Sequence, residues 1–444
     1  MPPRRIRLLI VAHSAVSYSG NAEVVRNIMQ GVLSSSPDTY EVRQVGLRQL
    51  TAVTTAGWDV IPTRRSPGAA GERLDLADID GEITLDSVLS DWRPDLVFIH
   101  NDPLPAQRQI RIINGRSTVV AYLSVDGAPL PQVLRGLDPR VLYVTMSHFS
   151  REALVVLNGL KAMGIRIACA PVDTERFFPV TSEERAALRQ ENLVDSQLGS
   201  RFLVGWVGRN QWRKQIWLNY LLISLIRSGE YFVCAACGAS SNKERANDRC
   251  RSCGSDRFRK AQGNRDIVLW MHFPTGREVG DWSMDELERA YRIQPGEDVI
   301  YTVGCDSQSH LAIEDVPLLY QMWDALLFLS GGEGFGMPAL ESMACGVPVI
   351  YSNYSSHPEW LKNANAGIAI SGVLQPEPPH AILRHISDVY EAIDAVLKLY
   401  SDSETRRALG QNGRRFSESV GIAEIGRYWD QIFREALQHN GESR

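Results

Sequence analysis

The sequence predicts two doubly wound α/β units facing each other across a cleft, the second interrupted by a small four-cysteine insertion. Three observations carry that expectation. Apolar runs alternate with helical patterns in two successive series. At 444 residues the chain is too long for a single hydrophobic core. Four of its seven cysteines fall between Cys234 and Cys253, a crowding that suggests metal rather than a disulfide framework.

The first series opens with Ile6–Ala12, an apolar run that reads as a strand buried on both faces. A loop through Ser17, Gly20 and Asn21 follows, and Ala22–Leu33 then sets Val24, Val25, Ile28, Met29 and Leu33 at helical spacing. Leu96–His100 (after the helix-breaking Pro94), Thr118–Leu123 and Val141–Ser147 repeat the strand signature. Strands alternating with helices imply a parallel sheet covered on both faces. The second series begins after Asp173–Pro179. Phe202–Val207, Tyr231–Val233, Ala325–Leu329 and Val347–Tyr351 read as strands, and Ile216–Ile226 and Ala339–Cys345 as helices. Ligands of such sheets sit at the carboxyl ends of the strands, here facing the crevice. Leu374–Pro379 (LQPEPP) reads as a proline-rich surface loop. Ile422–Gln438 is an amphipathic helix with Trp429, Ile432, Phe433 and Leu437 on one face. The domains expected are therefore 1–178, on the acceptor side; 179–418, which binds the nucleotide and includes the insertion at 231–262; and 419–444, a helix packing back on the first domain.

With 44% hydrophobic and 22% charged residues, the composition is that of a folded soluble enzyme. The net charge of −5 excludes a protein whose whole surface clamps nucleic acid. No apolar run approaches the roughly 20 residues of a membrane span. Arg4 and Arg5 before Ile6–Ala12 could mimic a signal peptide, but the run is broken by Arg7 and ends at His13 without a small-residue cleavage pattern. A cytoplasmic location is expected.

The most informative stretch is Gly331–Ile350, GGEGFGMPALESMACGVPVI, which follows an apolar strand. Pro338 suits a first helical turn. Gly334 and Gly336 are expected to let the backbone approach a ligand, with Phe335 and Met337 beside it. The helix that begins here offers unpaired amides and a positive dipole end for phosphate. Glu333 precedes the helix and Glu341 lies in its early turns, so both can face one site as acceptors for sugar hydroxyls.

Here the sequence resembles the retaining nucleotide-sugar glycosyltransferases of the GT-B fold, family 4 type. The resemblance rests on Glu333-Gly334-Phe335-Gly336, Pro338, Glu341 and Cys345-Gly346-Val347-Pro348-Val349-Ile350. Weaker matches are Ser19-Gly20-Asn21, Val172-Asp173-Thr174-Glu175-Arg176-Phe177, and Val207-Gly208-Arg209 followed by Lys214. The resemblance implies Glu333 on the donor sugar, Glu341 on the nucleotide ribose, and Arg209 with Lys214 on the diphosphate leaving group. Cations fixed there favour the transition state as charge gathers on the departing oxygen. His100, at the end of its strand, resembles the histidine placed beside the sugar. Asp126 is an acceptor-side candidate, as well as an ordinary loop aspartate. Gly20 and Asn21 would line the donor site. The resemblance further implies a nucleoside-diphosphate sugar donor and no catalytic metal. It departs from the family at Gln215, where relatives carry glycine or asparagine, and at Ser355-Ser356-His357, where a glycine-rich turn is common.

Cys234-x2-Cys237, twelve residues, then Cys250-x2-Cys253 has zinc-ribbon spacing. With cysteine at all four positions no site stays open for water, so a structural Zn2+ is expected rather than a catalytic one. Between Ser241 and Arg265 stand Lys243, Arg245, Arg249, Arg251, Arg257, Arg259, Lys260 and Arg265 against Glu244, Asp248 and Asp256, a local net charge of +5. Such a patch is either a solvated face or a polyanion site. Only Phe258 offers a ring for base stacking.

The acceptor stays open among glycan, lipid, small molecule and nucleic acid. One variant is a glycosyltransferase acting on a modified base of DNA or RNA through the ribbon. A reading of another class is a non-catalytic nucleotide-sugar or nucleic-acid binding protein. A nucleotide-sugar epimerase would need acid–base residues on both faces of the sugar, and no such set is assignable.

Overall fold

The computed structural model describes residues 4–442 except 18, 48, 50–52, 55–56, 64–77, 79, 132–133, 135, 160–163, 194–195, 243–247, 275–279 and 303–310. The first apolar run becomes β1 (Ile6–His13), followed by α1 (Gly20–Ser35), which Ser19 caps by accepting from the Ala22 amide. Then come β2 (Tyr40–Leu47), β3 (Val53–Thr54), β4 (Asp59–Pro62), α2 (Glu82–Asp91), β5 (Leu96–Asn101), α3 (Pro103–Ile113), β6 (Thr118–Leu123), β7 (Val141–Thr145), α4 (His148–Leu157) and β8 (Arg166–Ile167). These strands form one sheet in the order β3-β4-β2-β1-β5-β6-β7-β8, parallel except for the β3–β4 pair. Every residue of β5 and β6 is buried, as a sheet covered on both faces requires.

The second series runs α5 (Ser182–Asn192), β9 (Phe202–Val207), α6 (Ile216–Ser228), β10 (Phe232–Cys234), β11 (Ser240–Ser241), β12 (Phe258–Lys260), β13 (Ile267–His272), α7 (Met284–Ala290), β14 (Val299–Tyr301), α8 (Val316–Met322), β15 (Ala325–Phe328), α9 (Met337–Ala344), β16 (Val349–Ser352), α10 (His357–Ala364) and β17 (Gly367–Ile370). An all-parallel sheet follows, ordered β14-β13-β9-β15-β16-β17, while β11-β10-β12 make a separate antiparallel ribbon. Residues expected in a loop at Leu374–Pro379 belong instead to a hairpin, β18 (Gly372–Glu377) with β19 (Ile382–Ser387). Proline is admitted because the hairpin has only two strands: Pro376 faces Leu383 and needs to donate to no second neighbour.

The chain ends with α11 (Val389–Ser401), α12 (Ser403–Ser419) and α13 (Ile422–Glu442). The apolar face of α13 covers α1 and β6 of the first sheet, not the second lobe that precedes it in sequence. Trp429 is fully buried there, 5.0 Å from the Phe98 ring and 4.8 Å from that of Tyr122. Two glycines permit the crossing. A Cβ on Gly31 would stand 2.3 Å from the Ile422 carbonyl, and one on Gly426 2.3 Å from the Gly31 carbonyl carbon. The core is continuous between lobes, passing from β1 and β5 through Val172 and Phe177 to Tyr320 and α9.

Candidate active site

A cavity of about 400 Å³ opens between the two sheets, walled by both lobes. Its first-lobe wall includes His13, Gly20 and Asn21 at the end of β1 and start of α1, and Asp126 beyond β6. Its second-lobe wall includes Arg209, Arg213 and Lys214 beyond β9, and Glu333–Met337 with Glu341 beyond β15. The carboxyl ends of strands from both sheets therefore meet there.

Glu333 is the most constrained of these groups. Its carboxylate pairs with Arg213 at 2.8 Å and with the Lys214 ammonium. Burial pushes the carboxyl up, but the charges of Arg213 and Lys214 more than offset it and hold it well below the ordinary carboxylate range. Burial lowers Lys214, against the upward pull of Glu333. The loop carrying Glu333 is fixed by the departure noted in the sequence. Ser355 Oγ accepts from the Glu333 amide at 3.1 Å, and Ser356 Oγ donates to the Glu333 carbonyl at 3.0 Å. Hydroxyls at 355 and 356 thus serve as anchors, and Ser355 takes a left-handed φ of 55° to present its own. Gln215, the other departure, is also left-handed at φ 49°, and its side chain donates to the His385 carbonyl.

The glycines of this loop line the cavity and also stand close to neighbouring side chains. A Cβ on Gly334 would lie 2.2 Å from Ser124 Oγ of the opposite lobe, so any side chain there must displace that hydroxyl. Gly336 has φ 105°, where a side chain is strained, and its Cβ would meet the Phe328 ring at 2.9 Å. Phe335, beside them, stacks on Trp360 with ring centroids 4.7 Å apart.

Asp126 lines the cavity but is also an ionic bridge between lobes. It pairs with Arg213 at 3.4 Å and with Arg384 of β19 at 3.0 Å, and Arg384 continues to Glu377 at 2.6 Å. Arg213 is the principal residue that sequence reasoning missed. Its signal was adjacency to Lys214: a 3₁₀ turn over Trp212–Lys214 sends both cations into the cleft. A second missed group is Arg176, which pairs with Glu23 of α1 at 3.2 Å.

Glu341, equally buried, accepts from the Tyr320 hydroxyl at 2.6 Å. Burial, reinforced by the charge of Glu23 and opposed by Tyr320, Arg176 and Arg26, pushes its carboxyl up to about 7. The two glutamates face one cavity in opposite electrostatic settings.

His100 stands apart from the expectation. It does not line the cavity: its side chain is fully buried in the first sheet, with Nδ1 3.0 Å from the Tyr122 carbonyl and its ring 5.0 Å from the Tyr122 ring. Burial lowers it to about 4, so it is a neutral packed histidine. The strand does end at the cleft, but the register aims position 100 into the core. His13, at the end of β1, reaches the wall instead.

Cys234, Cys237, Cys250 and Cys253 are brought together in the ribbon, away from this cavity. Among the described basic residues around them Arg249, Arg251, Arg257, Arg259, Lys260 and Arg265 are exposed, and Arg251 also pairs with Asp388. Lys243 and Arg245 lie outside the described residues. No helix among the described residues is long and apolar enough to cross a membrane.

The two lobes, the parallel sheets and the intervening cleft are the α/β GT-B fold, and known proteins agree. Residues 307–416 match the family Glycosyl transferases group 1, so the chain carries a domain of that kind around the Glu333–Glu341 segment. Over 73 residues it is 44% identical to O-antigen chain mannosyltransferase B of Escherichia coli, covering 16% of this chain and 18% of that protein. It is 29% identical over 114 residues to the D-inositol 3-phosphate glycosyltransferase of Paenarthrobacter aurescens (strain TC1), covering 26% and 24% respectively. These alignments span well under a third of either relative's length. In overall structure the chain is similar to a sucrose-phosphate synthase of Thermosynechococcus elongatus, with a TM-score of 0.67, 16% identity and coverage of 98% and 100%. It is similar also to Anabaena HepE in complex with UDP-glucose, with a TM-score of 0.64, 13% identity and coverage of 97% and 100%.

Proposed function

We propose that the protein is a retaining glycosyltransferase that moves a sugar from a nucleoside-diphosphate sugar to an acceptor hydroxyl. One observation carries this reading. Glu333, the Arg209 and Lys214 cations, the amino-terminal turn of α9 and Glu341 all face a single cavity between two lobes. In this reading the diphosphate lies against the amino-terminal end of α9, whose positive dipole end favours an anion. Arg209 and Lys214 offset its charge and the further charge that gathers on the leaving oxygen. Glu341 accepts from the ribose hydroxyls. Glu333, kept ionised by Arg213 and Lys214, accepts from hydroxyls of the sugar. The bond from the anomeric carbon to the phosphate oxygen breaks while the acceptor oxygen bonds to the same face of the sugar. The acceptor's proton passes to the departing phosphate oxygen, so no side-chain nucleophile is needed. The UDP-glucose held by Anabaena HepE in the same fold supports a nucleotide-sugar donor.

The test is incubation with a panel of nucleotide sugars, with and without glycan, lipid, small-molecule and nucleic-acid acceptors, following nucleotide release and the anomeric configuration of the product. Release dependent on Glu333 with a retained anomer is expected. If no donor releases nucleotide, and wild type and Glu333→Gln behave alike, the protein is instead a non-catalytic binding module.

A further inference from the structure

We propose that the four-cysteine ribbon holds one Zn2+ through its thiolates, and that the metal-closed ribbon clamps the start of α11 to the second lobe. The inference does not depend on sugar transfer.

The first support is geometric. All four sulfurs lie within 4.8 Å of one another, with Cys234 Sγ 3.6 Å from Cys253 Sγ and Cys237 Sγ 3.5 Å from Cys250 Sγ. A tetrahedron with metal–sulfur bonds of about 2.3 Å has edges of about 3.8 Å, and two of the sulfur pairs already stand near that separation. The second support is the backbone, which is built twice to one plan. In the first knuckle the Gly238 amide donates to the Cys234 carbonyl at 2.9 Å, and the Cys234 amide to the Ala239 carbonyl at 2.9 Å. In the second the Gly254 amide donates to the Cys250 carbonyl at 2.8 Å, and the Cys250 amide to the Ser255 carbonyl at 2.8 Å. Gly238 and Gly254 have φ of 83° and 72°, each turning the chain just after its second cysteine. A repeated knuckle delivering two sulfurs each to one point is how a closed S4 site is assembled, with no coordination position left for water. Binding releases the thiol protons to solvent as the thiolates form, and the metal's affinity becomes folding energy for the ribbon.

The ribbon's apolar content is small, so it must be fastened from outside. Two polar contacts do this, one beside each knuckle. The Ser240 amide donates to both Asp394 carboxylate oxygens, at 3.1 and 3.0 Å. Arg251, between the second pair of cysteines, pairs with Asp388. Asp388 also caps α11, accepting from the Tyr390 and Glu391 amides at 2.9 and 3.1 Å. It directly follows β19, which carries Arg384. The metal therefore holds Arg251 against the residue that caps α11 just after the hairpin.

Two measurements test the proposal on the purified full-length protein. The first is elemental analysis with mercurial titration, followed by cobalt replacement. One zinc per chain, released stoichiometrically as four thiols are titrated, and an intense thiolate-to-cobalt absorption are expected. No retained metal, with an intact mass showing the cysteines oxidised in pairs, would overturn the zinc site. So would full zinc content in a Cys237→Ser, Cys253→Ser double variant. Should that variant fail to fold, the cobalt spectrum of the wild type decides. The second is amide hydrogen exchange before and after chelation. Faster exchange at the first turn of α11, with exchange in β1 unchanged, is expected, and Arg251→Ala should give the same local change while retaining its zinc. Unaltered exchange at α11 in both experiments would remove the clamp and leave only a metal site.

Discussion

In the ribbon, all four sulfurs come from one stretch of 20 residues and are aimed by the backbone of two tight turns. In the cleft, Glu333 depends on Arg213 and Lys214 from another loop, on Ser355 and Ser356 from a third, and on Ser124 of the opposite lobe for the space its loop occupies. The ribbon sets its sulfur geometry locally, and Asp394 and Asp388 fasten it to the second lobe. The cleft is an agreement among distant segments, and a change in one displaces charges in the others. The difference teaches where damage should spread.

The sharpest contrast is expected at Glu333. Replacing it with Gln should lower the nucleotide-release rate by about 10²–10³-fold, the usual cost of removing one fixed electrostatic contact of a reacting centre. The ribbon should be untouched, with zinc content read in the same sample. Next comes Arg213→Met. It removes one of the two cations beside Glu333 and one of the two beside Asp126, and should destabilise the fold by about 1–3 kcal/mol in urea unfolding. An effect no larger than that of a surface change would mean that the bridge between lobes is dispensable.

Gly334→Ala tests the lobe contact directly. Its methyl group meets Ser124 Oγ, and overpacking of this kind costs about 1–3 kcal/mol. Ser124→Gly in the same chain should recover most of the loss. Failure to recover would mean that the loop needs glycine for some reason other than the opposite lobe.

A smaller effect is expected from Glu341, which is pushed up to about 7. Below that pH it is neutral and a poorer acceptor for ribose hydroxyls, so one unit beneath the midpoint donor affinity should be up to about tenfold weaker than on the alkaline plateau. Glu341→Gln should flatten the profile. The sign for folding is opposite. The native state keeps this proton to about 7 while the unfolded carboxyl loses it near 4.5, so the stability contributed by the neutral form is lost as pH rises through that window. The smallest effect is Arg257→Ala on the ribbon's exposed face, expected within about 0.5 kcal/mol of wild type.

Much of the fold was legible because parallel strands buried on both faces leave unbroken apolar runs. Phe202–Val207 and Thr118–Leu123 have the same ends in the sequence pattern and in the structure. The hairpin at Gly372–Glu377 was illegible, since its prolines and exposed Val373 and Leu374 carry neither alternation nor a buried run. At the site, Glu333, Glu341, Arg209, Lys214, Gly20, Asn21 and Asp126 all line the cavity. His100 does not, because a strand terminus says which edge a residue is near but not which face it takes. Arg213 escaped notice because a run of three polar residues looks like any solvated turn until a second lobe buries it.

By itself the sequence determined what local chemistry determines: the strand and helix series, the cysteine knuckles and the loop with two glutamates, all set by residues near one another in the chain. Only the tertiary structure decided the charge states of those glutamates, the use of Asp126 as a bridge and the burial of His100. A carboxylate's proton depends on the cations and the water around it, and these arrive only when distant segments pack together.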